Sequence, residues 1–532
     1  RLRCGNSLIG ARRAVWTKEQ LKRGEHAWSA KQAKEAAEAQ KKQETGTVSE
    51  VHKSSGNPPI KSVRSAKSQT LKPKTRNPKA ETLFPSDQPR EITPGVPRLL
   101  KPGEERREDE VYHFLVFDPD MVPTHADTLM KSFWPEACAA GKKWVVQEAK
   151  PKWKAEQIKE ALQICDLIDQ RWEAYGKQRD AALQRTACTA TVWPEPGHTP
   201  AAVKPGASLA EQEKEKADLE STSNSFQRLK LVMDAWCALW FWPLQRVADL
   251  PSRDAFLTSA RLLLGAEPPK DKHLTAQMSL RLGFEVDGLL AGIGAGQIPD
   301  VEILSSNVPW YDLARTLSDE QHFHHWELVF PEVLGPHAER DGFDLIVGNP
   351  PWLKVGWSDE NAIYELEPSL GVKEASSAGV RKERPRILSE KSGRITFAAH
   401  FQNAIGTVAA LTGDRVFPEL HGIQANIYKN FIARAWQILG GAGIAALLHP
   451  EGIFDDPKGG SFRELCFHRQ LAHFQLKNEL RLFADIHHNR LFSINVYGSM
   501  KGTPCFRSMS TVFHPSTITE SHLHTNTSDS VP

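Results

Sequence analysis

No Cys-x-x-Cys pair occurs in these 532 residues, and the seven cysteines (Cys4, Cys138, Cys165, Cys188, Cys237, Cys466, Cys505) are scattered and odd in number. A disulfide-stapled scaffold and a cysteine-built zinc module are thereby excluded, and a reduced, cytoplasmic compartment is expected. No uninterrupted apolar run approaches the roughly 18 residues of a membrane span, and no signal peptide is visible, so no membrane partner is expected. Charge of one sign is lacking too: 67 Lys and Arg stand against 65 Asp and Glu, a net +2, which neither demands nor forbids a polyanionic partner. A starting Met is absent, Arg1 standing first, and the expectation is that sequence precedes it. Length is what the chain has in excess. It is too long for one core, and two or three domains are expected.

The stretch that organises the rest is Asp341-Gly-Phe-Asp-Leu-Ile-Val-Gly-Asn-Pro-Pro-Trp352. Leu345, Ile346 and Val347 form a short branched run behind Phe343, bounded by Gly348 and two prolines, and read as a strand buried on both faces of a parallel sheet. The loop that follows then lies at the carboxyl end of a strand, the edge where open α/β sheets bind ligands. Pro350 and Pro351 fix φ, and Pro350 pushes Asn349 toward an extended conformation, so the Asn349 amide and the next carbonyl form a held pair of acceptors. Two acceptors suit an exocyclic amino group with two N–H donors, because engaging both draws its lone pair out of the ring. Trp352 adds a flat face for stacking an extruded base.

This loop resembles the signature of the amino-group DNA methyltransferases, and Trp326-Glu-Leu-Val-Phe-Pro-Glu332 upstream resembles the large restriction–modification adenine methylases. The resemblance implies an α/β, class I methyltransferase (Rossmann-like) sheet and S-adenosylmethionine as methyl donor. It also implies adenine in double-stranded DNA as substrate, with restriction or phage-defence subunits as further partners. Asn349 and the Pro350 carbonyl would engage the amino hydrogens, Pro351 would stiffen the loop, and Trp352 would stack the base, with no metal required. Leu2 to Gly10 resembles the turn after the first half of the cofactor site, which would put Asn6 near the donor's adenosine; a plain Gly-Asn turn is the alternative. On that match the first strands of the sheet lie upstream of Arg1.

Taken in order, residues 1–13 are the expected remnant of the cofactor half, and 14–50 a charged, exposed helix running from Trp16 to about Gln43. Residues 51–110 are expected to be a basic disordered linker. Between 51 and 80 it carries eight Lys and Arg with no Asp or Glu, so it either tracks phosphates or is a solvated spacer. Residues 111–319 read as a long, mainly helical insertion. Val111 to Phe117 and Val145-Val146 are expected strands within it, Glu156 to about Ala182 a helix, and Phe226 to Trp242 a core helix. Gly292-Ile-Gly-Ala-Gly296 has the glycines of a cofactor loop but a poor strand before it and a poor helix after it, and a turn is the favoured reading.

Residues 320–505 form the expected catalytic half, with 353–400 a charged lid or DNA-facing loop. Asn426 to Leu439 is an amphipathic helix ended by Gly440 and Gly441, feeding a strand from Gly443 to His449. The family's Leu-Leu-Pro pattern appears as Leu447-Leu448-His449-Pro450. Leu482 to His488 and Phe492 to Tyr497 are expected as paired strands, which would point His487 and His488 to opposite faces. Core or surface roles are expected for His324 and His325. Residues 506–532 read as a tail or the start of a target-recognition region. Two other function classes remain: a magnesium-dependent nuclease built on Pro119-Asp120 and Glu148-Ala-Lys150, and a DNA-binding subunit without catalysis.

Overall fold

The structure, a computed structural model, describes residues 5–29, 31–36, 94–186, 208–221, 224–265, 272–282, 305–373, 375–423 and 426–523. The basic segment 51–80 and the glycine run Gly292 to Gly296 lie outside the described residues. Among the described residues no helix is long and apolar enough to cross a membrane.

The architecture is mixed α/β. A five-stranded sheet takes β4 (Phe343–Gly348), β5 (Leu439–Pro450), β6 (Gln470–Lys477), β7 (Leu491–Tyr497) and β8 (Arg507–Val512) in the order β4-β5-β7-β6-β8. β4 runs parallel to β5, β7 is antiparallel to both β5 and β6, and β8 is parallel to β6. A smaller sheet pairs β1 (Ala14–Thr17) with β2 (Arg98–Leu99) and β3 (Glu110–Tyr112).

Several sequence expectations hold. Helix α1 (Ala155–Thr186) buries Ile158, Ala161, Cys165, Ile168, Trp172 and Tyr175 at helical spacing. Helix α2 (Ser225–Ala238) is almost wholly buried, as its aromatic composition requires. Helix α4 (Ile427–Ile438), which follows α3 (Lys391–Thr412), packs Tyr428, Ile432, Ala435 and Trp436 inward.

Other expectations are corrected. β4 is not buried on both faces: it ends the sheet, and Leu345 and Val347 are 63 % and 72 % exposed on the face opposite Ile346. Gly440 and Gly441 do not stop α4 in a turn; the chain passes directly into β5, which starts at Leu439. Their missing side chains leave room for the Asp341 carboxylate, which a Cβ on Gly440 would meet at 2.6 Å, and Gly342, at φ 144, runs so close that its own Cβ would fall 2.4 Å from the Gly440 nitrogen. Trp16 lies inside β1 rather than on an exposed helix; Lys18–Arg23 and residues 31–36 are helical, and the rest of the expected helix past residue 36 lies outside the described residues. Val145-Val146 forms no strand, because the helix Pro135–Trp144 continues through a π turn over Val145–Ala149. Only Glu110–Tyr112 of the expected 111–117 strand pairs; His113–Leu115 turns into a 3-10 helix. The charged stretch 353–400 is helical over Asp359–Leu366, Ser377–Ile387 and the start of α3. Residues past 506 add β8 and a helix, Pro515–Leu523, to the main sheet.

The amino-terminal segment is built into the interior. Backbone N–H groups of Ala11 and Arg12 donate to His325 Nδ1 and His113 Nε2, both at 2.9 Å. Arg12 pairs with Glu327 at 2.7 Å, both nearly inaccessible, and Arg434 donates to the Leu8 carbonyl. His325 Nε2 lies 2.8 Å from Asp234 of α2, so His325 is a hydrogen-bonded core residue, as expected. One contiguous apolar cluster includes Leu8, Trp16, Trp172, Trp240, Phe397, Trp436 and Tyr497, and so joins the amino-terminal segment, the insertion and the main sheet.

Candidate functional site

β4 delivers its loop to the carboxyl edge of the parallel pair, level with the end of β5: Gly348 stands opposite Leu447. Asn349 is exposed, and among the described residues its side chain makes no hydrogen bond. Pro350 is buried, Pro351 exposed and Trp352 half-buried. The loop is held before Asn349 by the β4–β5 pairing, which runs to Gly348, and after it by two hydrogen bonds. The indole N–H of Trp352 donates to the Leu448 carbonyl at 3.3 Å, and the Ile427 N–H donates to the Leu353 carbonyl at 3.0 Å, tying the loop to the start of α4. Further along, Trp357 packs edge-on against Phe397 and Phe401 of α3. Two rigid prolines, one buried, between fixed flanks leave Asn349 with little freedom beyond its own side chain.

Trp352 is one member of an aromatic group. Its ring centroid lies 5.3 Å from Phe483 and 5.9 Å from Phe492, and those two rings meet at 90° with centroids 5.1 Å apart. The group caps a small apolar cluster of Leu476, Phe492 and Val512 on the sheet face that Leu345 and Val347 share through β5. The sequence pattern points to a strand at Phe483, not to a place in this group. β7 pairs instead with β5 and β6, and 482–488 lies in the loop between β6 and β7. Asn478, Asp485 and Asn489, all turn-favouring, were the available signal. In that loop His487 and His488 do not face apart; their rings lie 4.3 Å from each other.

The end of β5 is polar and closed. His449 is fully buried, with Nδ1 2.9 Å from the Pro450 carbonyl, Nε2 2.9 Å from the Tyr497 hydroxyl, and its ring stacked on Tyr428. Nδ1–H therefore donates, Nε2 accepts, and burial lowers the pKa to about 4, so the ring is neutral. Where the family pattern has no histidine, this one is core. Burial would raise the Glu451 carboxyl, but hydrogen bonds from His473, Ser493 and Gln475 outweigh it and hold the group below the usual carboxylate range.

Asn6 is not brought to the loop. Its N–H donates to the His322 carbonyl at 2.7 Å and it bridges Phe323, while Ser7 accepts from Trp326, whose ring meets Phe343 at the amino end of β4. Asn349 leaves the other end of that strand. Among the described residues β4 has no strand on its outer edge, and the Asn6 backbone is held against His322 and Phe323. The nuclease residues are not assembled either. Asp120 pairs with Arg415 at 3.4 Å, Glu148 accepts from the Arg253 N–H at 2.7 Å, and the strand such a site needs does not form.

No family model matches the chain, and no curated protein matches it. Among solved structures the chain aligns with one from a cryoEM structure of a DrdV–DNA complex, at 13 % identity and a TM-score of 0.17, over 70 % of this chain and 44 % of that one. The alignment thus spans less than half of the length of that neighbour. At that score it establishes no common fold.

Proposed function

We propose that the chain carries the target-base half of a DNA methyltransferase acting on the amino group of adenine in duplex DNA. The observation that carries this reading is the fastened Asn349-Pro350-Pro351-Trp352 loop at the carboxyl end of a parallel strand, beside a cluster of three aromatic rings. The free Asn349 amide oxygen and the Pro350 carbonyl are the two acceptors for the amino hydrogens. Trp352 is one wall for an extruded base and Phe483, in contact with it, is the other. A sheet in which antiparallel β7 separates β5 from β6 supports a class I methyltransferase arrangement of the catalytic half. S-adenosylmethionine is the proposed donor, and the open edge of β4, with Leu345 and Val347 exposed beside it, is where the strands that hold it would pair.

The test is the base composition of DNA from cells that express the intact protein, compared with cells that lack it. N6-methyladenine at one sequence context, lost on deletion, is expected. Unchanged DNA from expressing cells would favour the second reading, a DNA-binding subunit without catalysis. Restriction or defence subunits as partners remain part of the same proposal.

A further inference from the structure

Resting on the base-capture reading above, we propose that the loop from Asn478 to Arg490 is a preformed wall of the base site and that Asn478 is the residue that positions Phe483 opposite Trp352. The Asn478 side chain is fully buried and every polar atom in it is used. Its Nδ2 donates to the carbonyls of Phe483 (2.9 Å) and Ile486 (2.8 Å), and its Oδ1 accepts from the Phe483 N–H at 3.0 Å. Its backbone closes the loop as well: the Asn478 N–H donates to the Arg490 carbonyl at 3.1 Å, and its own carbonyl accepts from Arg481, which turns the chain at φ 50. Phe483 is thus gripped at both backbone polar groups by one amide.

The loop has little else to hold it. Leu480 and Leu482 are 55 % and 41 % exposed, Arg481, His487 and Arg490 face solvent, and the ring contacts of Phe483 are to Trp352 and Phe492. An element that exposes leucines and cations while fixing one aromatic residue toward the loop of Asn349 is shaped to present that residue. The two rings touch in the free protein, tilted by 55°. A base between them needs ring planes about 7 Å apart, two steps of roughly 3.4 Å each. With its backbone pinned, Phe483 reaches that separation by side-chain rotation, and the entropy of ordering the loop is lost before the base arrives.

Aspartate at 478 would keep the acceptor for the Phe483 N–H but turn an oxygen toward two carbonyl oxygens, so it breaks the grip without changing side-chain size. The experiment uses the full chain and a duplex pool carrying one 2-aminopurine between randomised flanks, enriched first for binding to the wild-type protein. Wild type should brighten the 2-aminopurine emission. Asn478→Asp and Phe483→Leu should each cut that response by about fivefold or more, the smallest loss expected when a base–aromatic stack goes. Duplex affinity should stay within about threefold, since no phosphate contact is removed. A full response from Asn478→Asp overturns the role of Asn478 and leaves base capture standing. Wild-type binding with no response refutes base capture and this role with it. Should Asn478→Asp fail to fold, hydrogen exchange on the wild type decides: slow exchange at Phe483 is expected, and exchange as fast as an open loop overturns the proposal.

Discussion

Replacing both Leu345 and Val347 by threonine separates what β4 does within the chain from what it does for a partner. Full burial of a Leu or Val side chain is worth about 1.5–3 kcal/mol. Leu345 and Val347 are 63 % and 72 % exposed, so roughly a third of that applies within the chain, about 1–2 kcal/mol for the pair at most. Threonine keeps the β-branched shape that suits a strand, so the melting temperature should fall by only a few degrees. On the proposed reading, the remaining two-thirds would be realised when a strand and its covering helix dock on the edge of β4 that is open among the described residues. The double variant should therefore weaken that docking by about 2–4 kcal/mol, roughly 30- to 1,000-fold. Thermal unfolding of wild type and variant measures the first part, and calorimetric titration of the wild-type chain with S-adenosylmethionine tests whether the edge is open in the chain alone. A fall in melting temperature beyond about 10 °C would mean these side chains are already covered, and the open-edge argument fails. Tight, stoichiometric donor binding by the chain alone would likewise refute it, and Gly292 to Gly296 would become the first residues to mutate.

Trp352→Ala should weaken base capture by about 1–3 kcal/mol while Trp352→Phe is tolerated; equal losses, read by 2-aminopurine emission, would make Trp352 packing for Phe483 and Phe492 alone. Deleting residues 51–80 should flatten the dependence of log affinity on log salt without altering sequence preference, and an unchanged slope would make the segment a spacer. His26 and His113, each with a pKa lowered to about 3 by burial, and His449, lowered to about 4, stay neutral in the fold while the unfolded chain protonates near 6.5. Their contribution is complete above that pH and is lost as pH falls toward 3–4, by up to about 4 kcal/mol per pH unit if all three take up protons on unfolding. Urea midpoints at pH 7.5, 6 and 5 should fall in that order, and equal midpoints would contradict the burial of these rings.

What the sequence disclosed depended on how local the signal was. The Asn349 loop, α1, α2 and α4 are written in contiguous residues, by prolines after a branched run or by apolar side chains at helical spacing, and they could be read directly. β4 was misjudged because Leu345-Ile346-Val347 reads the same whether one face or both are covered; only the neighbours, 100 residues away in β5, decide. The pairing of β7 was misassigned for a related reason. Gln470 to Lys477 is too polar to announce a strand, since His473 and Gln475 serve Glu451 and Gln470 serves Asn495, bonds that exist only once the sheet has formed. Phe483 stayed invisible with it. The short strand β1 was overridden by a helix-rich composition, because its partners lie at Arg98 and Val111.

The claim that Asn349 accepts hydrogen bonds from the base's amino group is tested most directly on Asn349→Ala in the intact protein, with methyl incorporation into adenine and duplex affinity measured on the same preparation. The side chain is exposed and makes no hydrogen bond among the described residues, and an alanine there removes no cation, so affinity should hold within about threefold. Incorporation should fall by about 100-fold or more, the scale on which a single preorganised hydrogen-bonding group at a reacting centre acts. Wild-type incorporation by Asn349→Ala would contradict the account.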